Sequence, residues 1–294
     1  MTGTRGTTYF DTFESRRTTY IGPATGGFGG QGVLAAPIVA PPPAPRPGPP
    51  WPRTAGPLKV RIDIYDNLYR LTEANYSDGR YFHYTYDAVG NRLTETKCAV
   101  LPCTTPITNN YVYDNANRLT SVNGQTYTWD NNGNLLNDGT STYGYDAANR
   151  LVSVSNQSSV SSYQYNGLGD RVSQTVDGVT TNYVLDLNTG LTQVLSDGNN
   201  TYLYGNGRIG ELQPGGFAYH LGDALGSVRQ LTDASGGVTL AKSYEPFGSG
   251  LSSAGSGMSI FAYAGEQYDS QTGLVFLRAR FYASQIGRFI TEDA

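Results

Sequence analysis

Along most of the chain, apolar and aromatic residues recur at every second position over short stretches, as in Phe82-His83-Tyr84-Thr85-Tyr86. A period of two places alternate side chains on opposite faces of an extended strand, so each stretch predicts a strand with one aromatic face. Five aromatic pairs follow one another: Tyr84/Tyr86, Tyr111/Tyr113, Tyr127/Trp129, Tyr143/Tyr145 and Tyr163/Tyr165. No window carries convincing helical periodicity. The pattern predicts a nearly all-β chain.

The polar residues that follow each pair are also patterned. The motif opens as Tyr65-Asp66…Arg70-Leu71, then recurs as Tyr86-Asp87…Arg92-Leu93 and Tyr113-Asp114…Arg118-Leu119. It continues as Trp129-Asp130…Asn134-Leu135, Tyr145-Asp146…Arg150-Leu151 and, more degenerate, Tyr165-Asn166…Arg171-Val172. Successive copies lie 21, 27, 16, 16 and 20 residues apart. Repeats of this kind predict stacked antiparallel hairpins in a continuous sheet.

Asp at the first turn position and Gly or Asn three residues later fit a type I turn followed by a residue with positive φ. Asp87/Gly90, Asp114/Asn117, Asp130/Gly133, Asp146/Asn149 and Asn166/Gly169 obey this grammar, and Tyr69 breaks it. The carboxylate is expected to accept backbone N–H groups as in an Asx turn. The Arg opening each return strand is expected to lie across aromatic rings. The copies at Tyr86 and Tyr165 hold one more residue before Arg92 and Arg171, which predicts a bulge or a longer loop there.

Composition adds limits. Only 15% of residues are charged and the net charge is -4, which argues against nucleic acid as a main ligand. No apolar run is long enough to span a membrane, and the N-terminal stretch lacks the apolar core of an ordinary signal peptide. Residues 1–57, rich in Pro and Gly, read as a disordered leader or linker. Residues 58–210 read as the repeat region and 211–294 as a distinct C-terminal segment. Cys98 and Cys103 lie in the one lengthened repeat; a local disulfide is the first reading and free thiols the second. His83 and His220 have no spacing that completes a metal shell with them, so no metal and no cofactor are expected.

Candidate chemistry is sparse. His220 and Asp223 in HLGDALGS form the most tempting acid–base pair, but Asp223/Gly226 and Asp233/Gly236 repeat the turn grammar and read as structural. Ser227 lacks the second glycine of a nucleophile elbow. Arg278, Arg280 and Arg288 form the one dense basic cluster, with Arg278 and Arg280 expected on one strand face.

The stretch Tyr76-Ser77-Asp78-Gly79 through Tyr84-Thr85-Tyr86-Asp87-Ala88-Val89-Gly90-Asn91-Arg92-Leu93-Thr94 resembles the YD-repeat, or Rhs, family, to which toxin-complex proteins and teneurins are related. HLGDALGSVRQLTDASGGVTLAKSYEPFG and AGEQYDSQTGLVFLRARFYASQIGRFITEDA resemble the core-associated domain that follows such repeats. The resemblance implies a sheet spiralling into a shell or partial shell, secreted or at the cell surface and of bacterial origin. Such a shell encloses or presents a toxin or effector polypeptide, alone or with other shell subunits. A carbohydrate-binding module for cell-surface glycans is the alternative it implies.

The family's core segment also acts as an aspartyl autoprotease, for which Asp293, Arg278 and Arg280 match motif positions. Aspartyl proteolysis needs two carboxylates, and no partner for Asp293 follows in the sequence. Ala283-Ser284 stands where the family has Asp-Pro, and Glu245 replaces an Asp. The expectation is therefore a scaffold without catalytic residues.

Overall fold

A computed structural model describes residues 61–188 and 190–292, so the leader at 1–57 and Asp293 lie outside the described residues. Among the described residues, every regular element is a β-strand apart from one single-turn 3-10 helix at Tyr263–Gly265. The described residues fall into two compact units, one of 61–85 and 95–108, the other of 86–94 and 109–292.

In the smaller unit, Arg61–Tyr65 pairs antiparallel with Leu71–Tyr76, which pairs in turn with residues 81–83. Cys98 and Cys103 are joined in a disulfide here. The larger unit holds a seven-stranded sheet over residues 128–182, an eight-stranded sheet over 184–255 and a four-stranded sheet over 267–289. In all three, each strand pairs with its neighbour in sequence.

One hairpin design accounts for this order. At Asp66, Asp87, Asp114, Asp130, Asp146, Asn166, Asp223, Asp233 and Glu245, the residue three positions on donates its N–H to the first carbonyl. In each, the first residue donates in turn to the carbonyl four positions on. The fourth residue of the turn itself takes positive φ, for example Gly90, Asn117, Gly133, Asn149, Gly226 and Gly236. Tyr69 adopts the same geometry at φ 59° despite its side chain.

The carboxylate closes the turn. Asp114 Oδ1 accepts the N–H groups of Ala116 and Arg118, each at 2.9 Å, while its Oδ2 receives Arg118 Nε at 2.8 Å. Asp146 treats Ala148 and Arg150 the same way. In the degenerate copy the charge is exchanged, with Asn166 Nδ2 donating to Asp170 Oδ2 at 3.1 Å.

This geometry corrects two expectations. The copies at Tyr86 and Tyr165 do not have longer loops, because Asn91 and Asp170 hold the position that Arg118 and Arg150 hold elsewhere. A register shift just before the second aromatic is general, occurring at Tyr65, Tyr113, Trp129, Tyr145 and Tyr165 alike. What differs is that Arg92 and Arg171 stand one residue later, in the inward slot that Leu119, Leu135 and Leu151 fill in other copies. The arginine thus has two roles. At the earlier position it pairs with the turn carboxylate, as Arg70, Arg118 and Arg150 do. At the later one it is buried among aromatic rings.

Residue 210, the expected boundary, lies within a strand. Strand Gly207–Gln213 runs through it, and the eight-stranded sheet continues to Gly255 with the same turns and the same shift before Tyr244. The turn at Asp233 and Gly236, expected in the core-associated segment, joins strands Val228–Thr232 and Val238–Tyr244 of this sheet. Hairpin repetition therefore extends well into the segment expected to be distinct.

Candidate functional site

The aromatic rungs of the larger unit are covered from within the chain. Leu135, Tyr143, Leu151, Val154 and Tyr163 of the seven-stranded sheet form one buried cluster with Leu274, Phe276, Phe281 and Ile290 of the C-terminal segment. Burial of this many large apolar side chains supplies the main attraction between the two layers. The second aromatic of a copy also ties adjacent hairpins together. Tyr113 Oη donates to Arg92 O at 2.9 Å, Trp129 Nε1 to Leu119 O at 2.6 Å, and Tyr165 Oη to Leu151 O at 2.7 Å. The expected partner of Tyr145 would be Leu135 O. Instead, Tyr145 Oη lies 3.4 Å from Ile290 O, and Leu135 N–H donates to that same carbonyl at 2.9 Å.

Polar contacts fasten the C-terminal sheet at points remote in sequence. Tyr163 Oη and Gln174 Nε2 donate to Asp269 Oδ2 at 2.6 and 2.8 Å. Arg92 Nη2 donates to Ile286 O at 2.7 Å, and Arg288 reaches Asn91 Oδ1 at 3.1 Å and Asn117 O at 3.0 Å. Burial raises the Tyr143, Tyr145 and Tyr163 hydroxyls far above the ordinary tyrosine range, and it pushes Tyr127 up to about 12. These phenols stay neutral at any physiological pH, and Tyr143, Tyr145 and Tyr163 act as donors.

Arg278, Arg280 and Arg288, expected as one basic cluster, each take different partners. Arg278 and Arg280 occupy the tight turn after strand Leu274–Phe276 rather than a strand, with Arg278 at φ 63°. Arg278 Nη1 pairs with Glu266 Oε1 at 2.6 Å, Arg280 lies 3.8 Å over the Phe289 ring, and Arg288 turns to the repeat turns. His220 and Asp223 also separate. Asp223 accepts the N–H groups of Leu225 and Ser227, whereas His220 Nε2 lies 3.4 Å from Glu211 Oε2. Glu211, fully buried, further accepts Gln213 Nε2 at 2.6 Å and Ser259 Oγ at 3.1 Å. The second turn of this segment stays with solvent: Gly236, exposed and at φ 85°, donates its N–H to Asp233 O at 3.0 Å. Asp233 Oδ1 accepts the N–H groups of Ser235 and Gly237 at 2.9 and 2.8 Å, so this carboxylate is also occupied by its own turn.

Behind the C-terminal sheet lies a cleft of about 260 Å³ whose polar lining includes Arg171, Arg208, Arg278, Glu266 and Gln267. Arg171 stacks 4.1 Å over Phe276, and Arg208 sits 3.1 Å over Phe261. Burial pulls the Arg208 guanidinium below its ordinary value, and burial raises Glu266 against the pull of Arg278. Arg208, Glu211, Glu266 and Gln267 belong to no motif legible in the sequence. Counting five residues from the turn's first position would have placed Arg171 inward, whereas parity in Gly207–Gln213 sets Arg208 with the exposed Leu212, and the register shift opposite Leu203 and Tyr204 is not legible in the sequence.

Among the described residues no group of His, Cys, Asp and Glu could hold a metal ion, and no helix is long and apolar enough to cross a membrane.

Comparison with known proteins places this architecture. The chain is 32% identical over 243 residues to the tRNA3(Ser)-specific nuclease WapA of Bacillus spizizenii, and 32% identical over the same length to the tRNA nuclease WapA of Bacillus subtilis. Each match takes in 78% of this chain but spans only 10% of the relative's length. Among solved structures, TcdB2-TccC3 superposes with a TM-score of 0.59 at 19% identity, over 79% of this chain and 14% of that one. TcdB2-TccC3-Cdc42 gives 0.52 at 18%, over 80% and 16%. At that identity the two structures share the fold with this chain. The teneurin YD-shell family model matches residues 63–294. With its hairpins, its bulge before each second aromatic and its covered aromatic face, the chain belongs to the teneurin YD-shell family.

Proposed function

We propose that the chain is a non-enzymatic wall section of a YD-repeat shell that carries a toxin or effector polypeptide in competition between bacterial cells. The observation that carries the reading is the fastening of the C-terminal sheet over the aromatic rungs, through the buried cluster and the Leu135–Ile290 and Arg92–Ile286 hydrogen bonds. Its motif residues hold structure: turn aspartates accept backbone N–H groups, and Asp223 does the same in the segment that looked most like a catalytic pair. The nuclease names of the curated relatives support a toxin link. The part those relatives share with this chain is about a tenth of their length, which fits a carrier section with its effector elsewhere. Secretion or surface display belongs to the same proposal.

The test is protease protection. The chain is produced together with the polypeptide encoded directly downstream, and that polypeptide is digested with and without the chain. Protection by the chain is expected; digestion at the rate of the isolated polypeptide refutes the carrier role. Intact mass after long incubation is expected to stay at full length, and a shorter product would identify self-cleavage instead.

A further inference from the structure

Among the described residues, the eight-stranded sheet has one covered face and one bare face. Tyr202, Ala218, Leu231 and Leu240 point to the covered side, where Phe261 packs on them. Cross-strand partners share a face, so Leu203, Gly210 and Tyr219 form one row of the bare side, and Leu212 and Phe217 form the next. Leu221, two residues beyond Tyr219, extends the patch. Leu203 is 49% exposed, Leu212 53%, Tyr219 42% and Leu221 46%. The Phe217 ring lies across Gly210, where a Cβ would stand 2.7 Å from it, and its centre is 4.6 Å from that of Tyr219. Single exposed apolar side chains are ordinary, but a contiguous patch over three neighbouring strands marks a contact surface.

Size and charge select the partner. On the next three strands the same face carries Gln230 and Thr232, then Ala241 and Ser243, then their partners Ala254 and Ser252. One half of the face is therefore large and apolar, and the other half is small. The charged side chains of these strands lie elsewhere. Glu211 and Lys242 share the parity of the covered row, Arg208 lies against Phe261 on that side, and Arg229, beside a register shift, stands 3.6 Å from Asp223 of its own turn. A two-fold axis running along the strands, between those of Leu221 and Gln230, would set each large half on the small half of the other copy. Leu212 would then meet Ala241 of the second copy, and Ala241 would meet the second Leu212, as an isologous contact requires. Large side chains over small ones keep two packed sheets at an even spacing of about 10 Å, and no charge is desolvated. We propose that this face binds the same face of a second copy of the chain. Six strands about 4.8 Å apart and roughly five residues long cover on the order of 500 Å². That is small beside the ~800 Å² per partner of a stable complex, so the dimer is reversible. The inference does not depend on the carrier role proposed above.

Sedimentation equilibrium of the full chain tests it, over concentrations from about 0.01 to 1 mM. A monomer–dimer equilibrium is expected, with Kd on the order of 0.1 mM. Leu212→Lys and Ala241→Asp are each expected to weaken it about tenfold, because each places a charge against an uncharged neighbour. An equimolar mixture of the two variants is expected to regain dimer at close to the wild-type Kd, because Lys then faces Asp across the axis; a recovery of this kind cannot come from misfolding. The proposal is overturned if the wild-type chain stays monomeric over the whole range, if either variant dimerises as the wild type does, or if the mixture recovers nothing. A monomer that instead co-sediments with phosphatidylcholine vesicles would assign the face to a lipid surface and overturn it as well.

Discussion

Asn149 joins two effects that substitution can separate. It takes the positive-φ position of its turn at φ 57°, and its Oδ1 accepts Asn134 Nδ2 at 2.9 Å and Asn132 Nδ2 at 3.1 Å from the preceding repeat. Asn134 is 1% exposed, so its amide hydrogens need partners inside the protein. Asn149→Gly keeps the backbone geometry and removes the acceptor, which costs about 1 kcal/mol. Asn149→Ala removes the same acceptor and adds left-handed strain. Set against glycine's greater freedom in the unfolded chain, the extra cost of alanine is about 1 kcal/mol.

The readout is hydrogen exchange of the Asp146 amide, which is bonded to Arg150 O at 3.0 Å and is released when this hairpin opens. Protection should fall about fivefold for Asn149→Gly and about thirtyfold for Asn149→Ala. Equal protection in the two variants would refute the strain argument. Wild-type protection in Asn149→Gly would refute the claim that asparagine bonds link neighbouring repeats.

Tyr69, at φ 59° and 89% exposed, should show the reverse sign: Tyr69→Gly is expected to stabilise its hairpin by roughly 0.5–1 kcal/mol, seen as slower exchange of the Asp66 amide. Glu211→Ala leaves His220, Gln213 and Ser259 without their shared buried partner and should cost about 3 kcal/mol, whereas Glu211→Gln should cost clearly less. Equal melting temperatures for the two variants would contradict a role for the hydrogen bonds that the glutamine amide oxygen can still accept. Tyr127, raised by burial from 10.0 to about 12, binds its proton more tightly when folded, so its contribution is intact below pH 10.0 and is lost as pH rises toward about 12. Alkaline melting curves should fall across that window, and a flat profile there would count against burial of this ring. At the other end, the backbone N–H of Arg118 holds Asp114 below the ordinary carboxylate value, so that turn's contribution is present above that value and is lost as acid protonates the group. Loss of Arg118 amide protection at low pH checks it.

The repeat grammar was legible because a turn's chemistry lies within five consecutive residues: Asp146, its two N–H donors and Arg150 are all local. The aromatic faces were legible from period two. The arginine-lined cleft was not, because it is made by side chains about a hundred residues apart, such as Arg171 and Gln267. The two arginine roles were missed for a narrower reason. Arg118 and Arg92 look equivalent because each precedes a leucine, but they stand four and five residues after their turn aspartates, and one residue moves a side chain to the opposite face. The supposed basic strand failed for the same kind of reason: Leu277 N–H bonds to Arg280 O and folds Arg278 into a turn that alternation alone does not reveal.

Because every strand in the larger unit's sheets pairs with its sequence neighbour, assembly needs no distant segment until late. Each hairpin can form as soon as its own residues emerge from a ribosome or a translocation channel. The contacts that must wait are those of the C-terminal sheet: Arg92 to Ile286 and Arg288 to Asn91 span almost the whole described chain. The order of synthesis therefore becomes an order of construction, in which the wall is laid course by course and the piece that locks it arrives last.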